Sequence, residues 1–214
     1  MGTSERRRYD SSGRLAEAAA RRARMVEAAR GLFIAQGYGS TTIAQIAEEA
    51  AVSAELIYAS FGTKKELLFK VHEAALAGDT EEIPLLQREV ARAIQEETSQ
   101  ERQCRLGARF AREVLERSAE IWRLTDQAAA ADPEIEPLRK ERERQRFEDI
   151  EVLVAAVARV GPLRYEVPIA VDITYALSGP DVYLQLVRDR QWSSEQYENW
   201  LATALMDNLV PSKH

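Results

Sequence analysis

The sequence predicts an all-α protein, and three observations lead to that fold class. Alanine, leucine, glutamate and arginine are abundant, whereas the 214 residues include only 10 glycines and 7 prolines, a composition that favours helices. Capping boxes, in which a Ser or Thr is followed three residues later by Glu or Gln, occur at positions 42–45, 63–66 and 193–196 and mark helix starts. Between such signals, apolar residues recur at helical spacing.

The first helix is predicted from about Leu15 to Gln36. Apolar residues recur every three or four positions along it, and Gly37 then stops it. The preceding residues 1–14 are polar, carry four arginines and lack apolar periodicity. Two interpretations stay open for this segment. It is either a disordered, solubilising tail or a flexible basic arm that follows a DNA backbone or enters its minor groove.

Three more helices, separated by two tight turns, are predicted from residue 37 onward. The first begins at the capping box of Thr42, and the second, AELIYAS, is capped by the hydroxyl of Ser53. The third runs from Lys64 to about Ala77. The two helices joined across the turn AAVS have the dimensions of a helix-turn-helix, whose second helix enters a DNA major groove.

At these residues the chain closely resembles the DNA-binding domain of tetracycline-repressor-like (TetR/AcrR) transcriptional regulators. No single residue is specific, but the order and spacing over some forty-five positions are typical of that family. The shared features are Ala28-Ala29, Leu32-Phe33, Gly37-Tyr38, Thr41-Thr42, Ile46-Ala47, Val52-Ser53, Tyr58, Phe61, Lys64 and Leu67-Leu68. The resemblance implies a helix-turn-helix head that binds double-stranded operator DNA.

The resemblance also implies which residues touch the DNA. In the family, the residues that match Thr42, Tyr58 and Lys64 contact phosphates, and we expect the same role here. The chemistry agrees, because a tyrosine hydroxyl suits a phosphate and helix starts present free amide N–H groups. The outward face of the second short helix is expected to complete the DNA-binding set. Besides Tyr58 it comprises Ser53, Ala54, Glu55 and Ala59.

Three positions depart from the family pattern. Ala51 lies in the turn where the family usually has glycine, so it must avoid a positive φ or accept strain. Ile43 stands where some relatives have an arginine that reaches a base. Glu55 can accept a hydrogen bond from cytosine but repels phosphates. The positioning contacts therefore look ordinary, whereas the base-reading contacts are particular to this chain.

We predict that the head spans residues 1–80 and that a helical body spans residues 81–214. The charged run 138–149 is interpreted as a solvated helix face. Gly179-Pro180 is expected to interrupt the penultimate helix. The predicted helices of the body cover residues 85–97, 101–117, 119–131, 134–160, 168–188 and 193–210.

Charge and chemistry favour a DNA-binding protein over an enzyme. The net charge is −6, but residues 1–72 hold eleven Lys/Arg against eight Asp/Glu, whereas the remainder holds eighteen against twenty-seven. A basic head can approach phosphates while an acidic body is repelled by them. His72 and His214 are the only histidines, Cys104 is the only cysteine, and no nucleophile, phosphate-loop or metal motif occurs. We expect no enzyme activity, no cofactor and no metal.

Localisation is expected to be cytoplasmic, without a membrane partner. No apolar run reaches the length of a membrane span, and the chain does not open on a signal-peptide pattern. A lone cysteine cannot form an internal disulfide, which agrees with a reducing compartment.

For the body, the resemblance implies a homodimer and a pocket for an unknown small-molecule effector. The expected function is a repressor that this effector releases from a palindromic operator. The alternative is an architectural or protein-regulated DNA binder without an inducer. Pocket residues are expected among Phe110, Trp122, Arg123, Asp126, Phe147 and Tyr175. The apolar stripe expected at the dimer interface, or else in the core of one subunit, comprises Tyr197, Trp200, Leu201, Ala204 and Leu205.

Overall fold

The computed structural model describes residues 4–78 and 83–211, with side chains from Gly13 onward. All regular elements within those residues are helical, which confirms the all-α fold class. The chain divides into two compact units, residues 1–74 and 75–214. We call the first unit the head and the second the body. The division falls at residue 74, whereas the sequence placed it near residue 80. Within the described residues, no helix is both long and apolar enough to cross a membrane.

The head contains a long helix followed by the helix-turn-helix. The bounds are α1 (Ser4–Gln36), α2 (Ile43–Glu49), α3 (Ala54–Phe61) and α4 (Lys64–Ala77). Helix α1 begins at Ser4, well before the predicted start at Leu15, so most of the segment predicted as a flexible arm is helical. Its polar residues include good helix formers and no proline, and they need no apolar face to extend a helix already nucleated by packing.

The caps of the head form where the sequence predicts them. The Thr42 side chain accepts from the backbone N–H of Gln45, whose side chain accepts from the Thr42 N–H in return. The Ser53 hydroxyl accepts from the N–H of Leu56 at the start of α3. These local bonds fix the two turns, and apolar side chains then close the head. Its fully buried residues include Ala29, Phe33, Ile46, Ile57, Leu67, Leu68 and Val71.

The body contains one helix fewer in its first half than predicted, because the helices expected at 101–117 and 119–131 are continuous. Ser118 lies inside this continuous helix, and its hydroxyl donates to the carbonyl of Val114 one turn earlier. The bounds are α5 (Glu89–Glu96), α6 (Gln100–Ala131), α7 (Glu136–Val160), α8 (Val167–Leu177), α9 (Pro180–Tyr183) and α10 (Ser194–Leu209), with a 3-10 turn at Leu85–Gln87 and a π-helical stretch at Leu184–Asp189.

The interruption at Gly179-Pro180 is confirmed. Helix α8 ends at Leu177, and α9 restarts with Pro180 in its first turn, where a missing N–H costs nothing. The core of the body lies between α6, α7, α8 and α10. Cys104, on α6, is among its buried members, and burial raises the pKa of its thiol to about 11.

Candidate functional site

The outward face of α3 is the exposed surface of the helix-turn-helix. Ser53, Glu55, Tyr58 and Ala59 are exposed, and the Tyr58 side chain keeps 54% of its surface in solvent. Ala54 is only half-buried, whereas Ile57 on the opposite side is 1% exposed. One side of α3 is therefore anchored in the head core, and the other side presents the predicted DNA-binding residues together.

Glu55 carries a firmly negative charge on this face. Its own backbone N–H, followed by the Ser53 hydroxyl, holds the pKa of the carboxyl below its ordinary value. The start of a helix favours such a charge because the first amide N–H groups have no partner within the helix. An ionised carboxylate can only accept, so the base group it suits is a donor such as cytosine N4.

The turn between α2 and α3 is held in a strained conformation. Ala51 has a φ of 53°, in the left-handed region that favours glycine. Two backbone bonds fix it there, from the Ala51 N–H to the Glu48 carbonyl at 3.1 Å and from the Val52 N–H to the Ala47 carbonyl at 2.9 Å. Of the two outcomes the sequence left open, Ala51 takes the strained one.

Thr42 lies exposed at the start of α2. Its side chain and its own N–H are both occupied by the capping box with Gln45. The first amides of α2 beyond the cap still point out of the helix end. Thr42 therefore positions a helix start, and the predicted phosphate contact stays a prediction.

The Lys64 side chain is bonded within the head, and its predicted phosphate contact stays a prediction. Its ammonium donates to the carbonyl of Tyr38 at 2.9 Å and to the carbonyl of Thr41 at 3.0 Å, and it lies 4.2 Å from the centre of the Tyr38 ring. The predicted phosphate contact through this side chain would require those bonds to open. The side chain instead fixes the loop before α2 to the start of α4.

Arg22, a residue not predicted from the sequence to have a role, ties α1 to α3. The Arg22 guanidinium donates to the carbonyl of Ser60 at 2.7 Å and lies 5.4 Å from the centre of the Phe61 ring. Its target is a backbone carbonyl, which no residue pattern marks, so sequence alone offered no signal.

In the body, the structure brings together two of the predicted pocket residues. The rings of Phe147 and Tyr175 lie 5.9 Å apart, and both are partly buried. Phe110 is half-buried and Trp122 is 4% exposed. Among the described residues no three His, Cys, Asp or Glu side chains form a metal-binding group.

The two polar residues predicted for the pocket are corrected. Arg123 forms an ion pair with Glu120 on its own helix and keeps 42% of its side chain exposed. Asp126 is also exposed. Trp122, on the same helix, is buried, so the structure does not bring these two polar side chains together with it.

A different polar residue, Arg146, stands beside Phe147 and Tyr175. Its guanidinium lies 3.9 Å from the centre of the Tyr175 ring and donates to the Tyr175 carbonyl at 2.6 Å. Arg146 lies in the run interpreted as a solvated face. The missed signal is that Leu138, Arg142, Arg146, Ile150 and Val154 recur every four residues, so two arginines occupy an otherwise apolar stripe.

The predicted dimer stripe on α10 is corrected in part. Tyr197 and Leu201 are fully buried and Leu205 is 5% exposed within the single chain, so their side chains belong to the subunit core. Trp200 and Ala204 are half-buried. Three of the apolar side chains of the body that remain in solvent lie in α8 and just before it. They are Tyr165, Val167 and Ile169, with 44%, 42% and 49% exposure.

Comparison with known proteins confirms the resemblance in the head. Residues 25–71 match the family described as bacterial regulatory proteins, tetR family. The HTH-type transcriptional regulator HbdR of Aromatoleum sp. (strain CIB) is 48% identical over 64 residues, which are 30% of this chain and 28% of that protein. The match therefore spans less than a third of that curated relative.

Solved structures extend the likeness of fold to both units. A transcriptional regulator from Saccharomonospora viridis in complex with choline has a TM-score of 0.66 at 18% identity, covering 89% of this chain and 98% of that one. The regulator FadR from Bacillus subtilis in complex with stearoyl-CoA has a TM-score of 0.64 at 14% identity, covering 85% and 96%. Identities this low establish the fold alone.

Proposed function

We propose that this chain, whose residues 25–71 form the head of a tetR-family regulator, is a dimeric transcriptional repressor that leaves its operator when a small molecule binds the body. The observation that carries the proposal is the outward face of α3. A helix anchored by Ile57 presents an exposed tyrosine, a carboxylate and two small residues side by side. A helix of this kind enters a major groove, where small residues allow close approach and polar ones contact the DNA.

Within this proposal the contacts divide into two groups. The Tyr58 hydroxyl and the amides at the Thr42 helix start bind phosphates, which set register without reading sequence. Glu55, with Ser53, Ala54 and Ala59 around it, faces the base edges. Lys64 supports both groups by fixing the loop that carries Thr42.

The dimer is supported by the apolar side chains of α8. Val167 and Ile169 keep almost half of their surface in solvent, and Ile173 follows Ile169 one turn later. Helix α8 packs against α10 within the body core, so the half-buried Trp200 and Ala204 can extend the same surface. We assign the self-association surface to α8 and α10. The apolar contacts predicted for α10 come mainly from α8 in this assignment.

We assign the effector site to the Phe147–Tyr175 pair. Aromatic walls with few polar groups are typical of small-molecule sites. Two regulators of similar fold were solved in complex with choline and with stearoyl-CoA, which supports a small-molecule effector for this chain.

DNA binding is tested by selecting sites from a random duplex library with the full-length protein. We expect a palindromic site, and Tyr58→Phe should weaken binding to every variant of it equally. Glu55→Ala should change the preferred base at one position per half-site, worth about 1–3 kcal/mol of discrimination. Glu49→Ala, an exposed carboxylate on α2, is the matched control. Recovery of no specific sequence would overturn the proposal.

The dimer is tested with Ile169→Glu, because this side chain is exposed in the single chain and the variant should fold. Light scattering should then report a monomer, and affinity for the selected palindrome should fall at least tenfold through loss of the second head. Val152→Glu, at 41% exposure on α7, serves as the control. A helical Ile169→Glu protein that remains dimeric would place the interface elsewhere.

A further inference from the structure

Arg146 is an inward-facing arginine without a carboxylate. On the same helix Arg139 pairs with Glu136 and Arg144 pairs with Glu141. Arg146 instead donates from Nη2 to the Tyr175 carbonyl at 2.6 Å and, at the limit of 3.5 Å, to the Ser178 hydroxyl. Among the described residues its Nε and Nη1 have no hydrogen-bond acceptor. A guanidinium stays protonated in a protein, so a full positive charge is held here with donors to spare.

The hydroxyl of Tyr197 is a second polar group without a partner. Its side chain is 0% exposed, and the structure shows no hydrogen bond to its Oη from any described residue. The rings of Tyr183 at 4.9 Å and Trp200 at 5.8 Å pack against it. A buried hydroxyl without a partner has lost its hydrogen bonds to water and gained none in the protein. This arrangement lowers the stability of the fold.

Arg146 and Tyr197 act on each other. Burial raises the pKa of the Tyr197 hydroxyl far above its ordinary value, and the charge of Arg146 opposes that rise. Burial likewise lowers the pKa of Arg146, and Tyr175 and Tyr197 are among the groups that oppose it. The packing agrees, because Phe147 and Tyr175 pack against the core cluster that contains Tyr197, and the Arg146 guanidinium lies 3.9 Å from the centre of the Tyr175 ring. The spare donors of Arg146 and the hydroxyl of Tyr197 therefore lie in one neighbourhood, with the rings of Phe147 and Tyr175 beside them.

We propose that Arg146 and the Tyr197 hydroxyl bind the carboxylate of an organic acid whose apolar part packs against Phe147 and Tyr175. This deepens the proposed function, on which it rests, by giving the effector a charge and a class. A carboxylate has two oxygens, and the site offers two kinds of donor, a guanidinium N–H and a phenol O–H. A cationic effector would instead meet a positive charge, and Glu143, the carboxylate whose charge acts on Arg146, is already paired with Arg139.

The competing explanation is structural. Arg146 ties α7 to the end of α8 through the Tyr175 carbonyl, and this bond alone could account for its retention. The two explanations differ in what they predict for Tyr197, because a structural clamp at Arg146 gives the Tyr197 hydroxyl no role. They also differ in whether Arg146→Gln lowers the melting temperature of the protein without ligand.

The test is calorimetric titration of the full-length protein with benzoate, phenylacetate, octanoate and palmitate, each paired with its neutral amide. We expect at least one acid to bind and its amide to bind at least tenfold more weakly. Arg146→Gln should weaken the acid about 10- to 100-fold, and Tyr197→Phe about fivefold, as expected for one charge-assisted bond and one hydroxyl bond. Neither variant should change the affinity of the amide.

Two results would overturn the proposal. One is equal binding of acid and amide, and the other is that none of the four acids binds in an Arg146-dependent way. Tyr197→Phe keeps the ring and removes only the orphan hydroxyl, so it decides the matter even if Arg146→Gln fails to fold. A structural Arg146 would lower the melting temperature of Arg146→Gln and leave the Tyr197→Phe protein with full acid affinity.

The DNA assay keeps this inference separate from the function beneath it. If the protein selects a palindrome but binds no acid, the proposed acid site is wrong and the proposed DNA-binding function is kept. If an acid binds through Arg146 but no DNA sequence is selected, the proposed regulator is wrong and the acid site stands.

Discussion

The head and the body differ in how completely their charged side chains are bonded. In the head, Lys64 and Arg22 donate to backbone carbonyls and lie over aromatic rings, so each cation also fastens one segment to another. In the body, Arg146 has spare donors, and Asp149 on the same helix has neither a hydrogen bond nor an ion pair among the described residues. In the proposed regulator, the head holds a fixed surface for DNA with these internal bonds, and the body leaves donors available for a ligand.

The largest expected effect tests the head. Lys64→Ala removes two charge-assisted hydrogen bonds and should lower the free energy of unfolding of the head by about 2–4 kcal/mol. Urea unfolding followed by circular dichroism measures it, and Lys65→Ala, an exposed neighbour, should be nearly neutral. If Lys64→Ala instead unfolds like wild type but reduces the salt dependence of DNA binding, the lysine contacts a phosphate after all.

The second effect tests the body. Burial, and then the negative charge of Glu148, raise the pKa of Asp149 to about 6. The folded protein therefore binds this proton more tightly than the unfolded chain does. Stability from this group is complete below the ordinary pKa near 4 and is lost as the pH rises through 6.

Asp149→Asn, which stays neutral, should accordingly raise the free energy of unfolding at pH 7.5 by about 1–2 kcal/mol, since partial exposure moderates the effect. The gain should vanish below about pH 4. Urea unfolding at both pH values checks this, with the exposed Glu151→Gln as control. A gain that does not depend on pH would mean that packing, not charge, causes it.

The smallest effect sharpens the comparison, because it concerns the one strained residue of the helix-turn-helix. Ala51→Gly relieves a left-handed alanine and should stabilise the head by about 1 kcal/mol. Ala59→Gly, inside α3, should have the opposite sign and a similar size. Thermal unfolding of the two variants compares them directly. Equal destabilisation by both would show that the turn is relaxed with alanine.

The same contrast explains how much the sequence could predict. The caps at Thr42 and Ser53 depend on residues three positions apart, so a local pattern was sufficient to find them. Arg146 was missed because its neighbours Tyr175 and Ser178 are about thirty residues away and only packing brings them close. Tyr197 was seen as apolar surface, but whether an apolar stripe faces a partner or its own core depends on the other helices.

Cys104 makes it possible to measure the opening of the body separately from that of the head. It is the only thiol of the chain, it is 2% exposed in the body core, and its pKa near 11 leaves almost no thiolate at neutral pH. A thiol reagent reacts with the thiolate and needs access to it. Each labelled molecule therefore records one opening of the body, and the head contributes nothing to the signal. The rate at which Cys104 is labelled therefore measures how often the body opens while the head is present in the same chain.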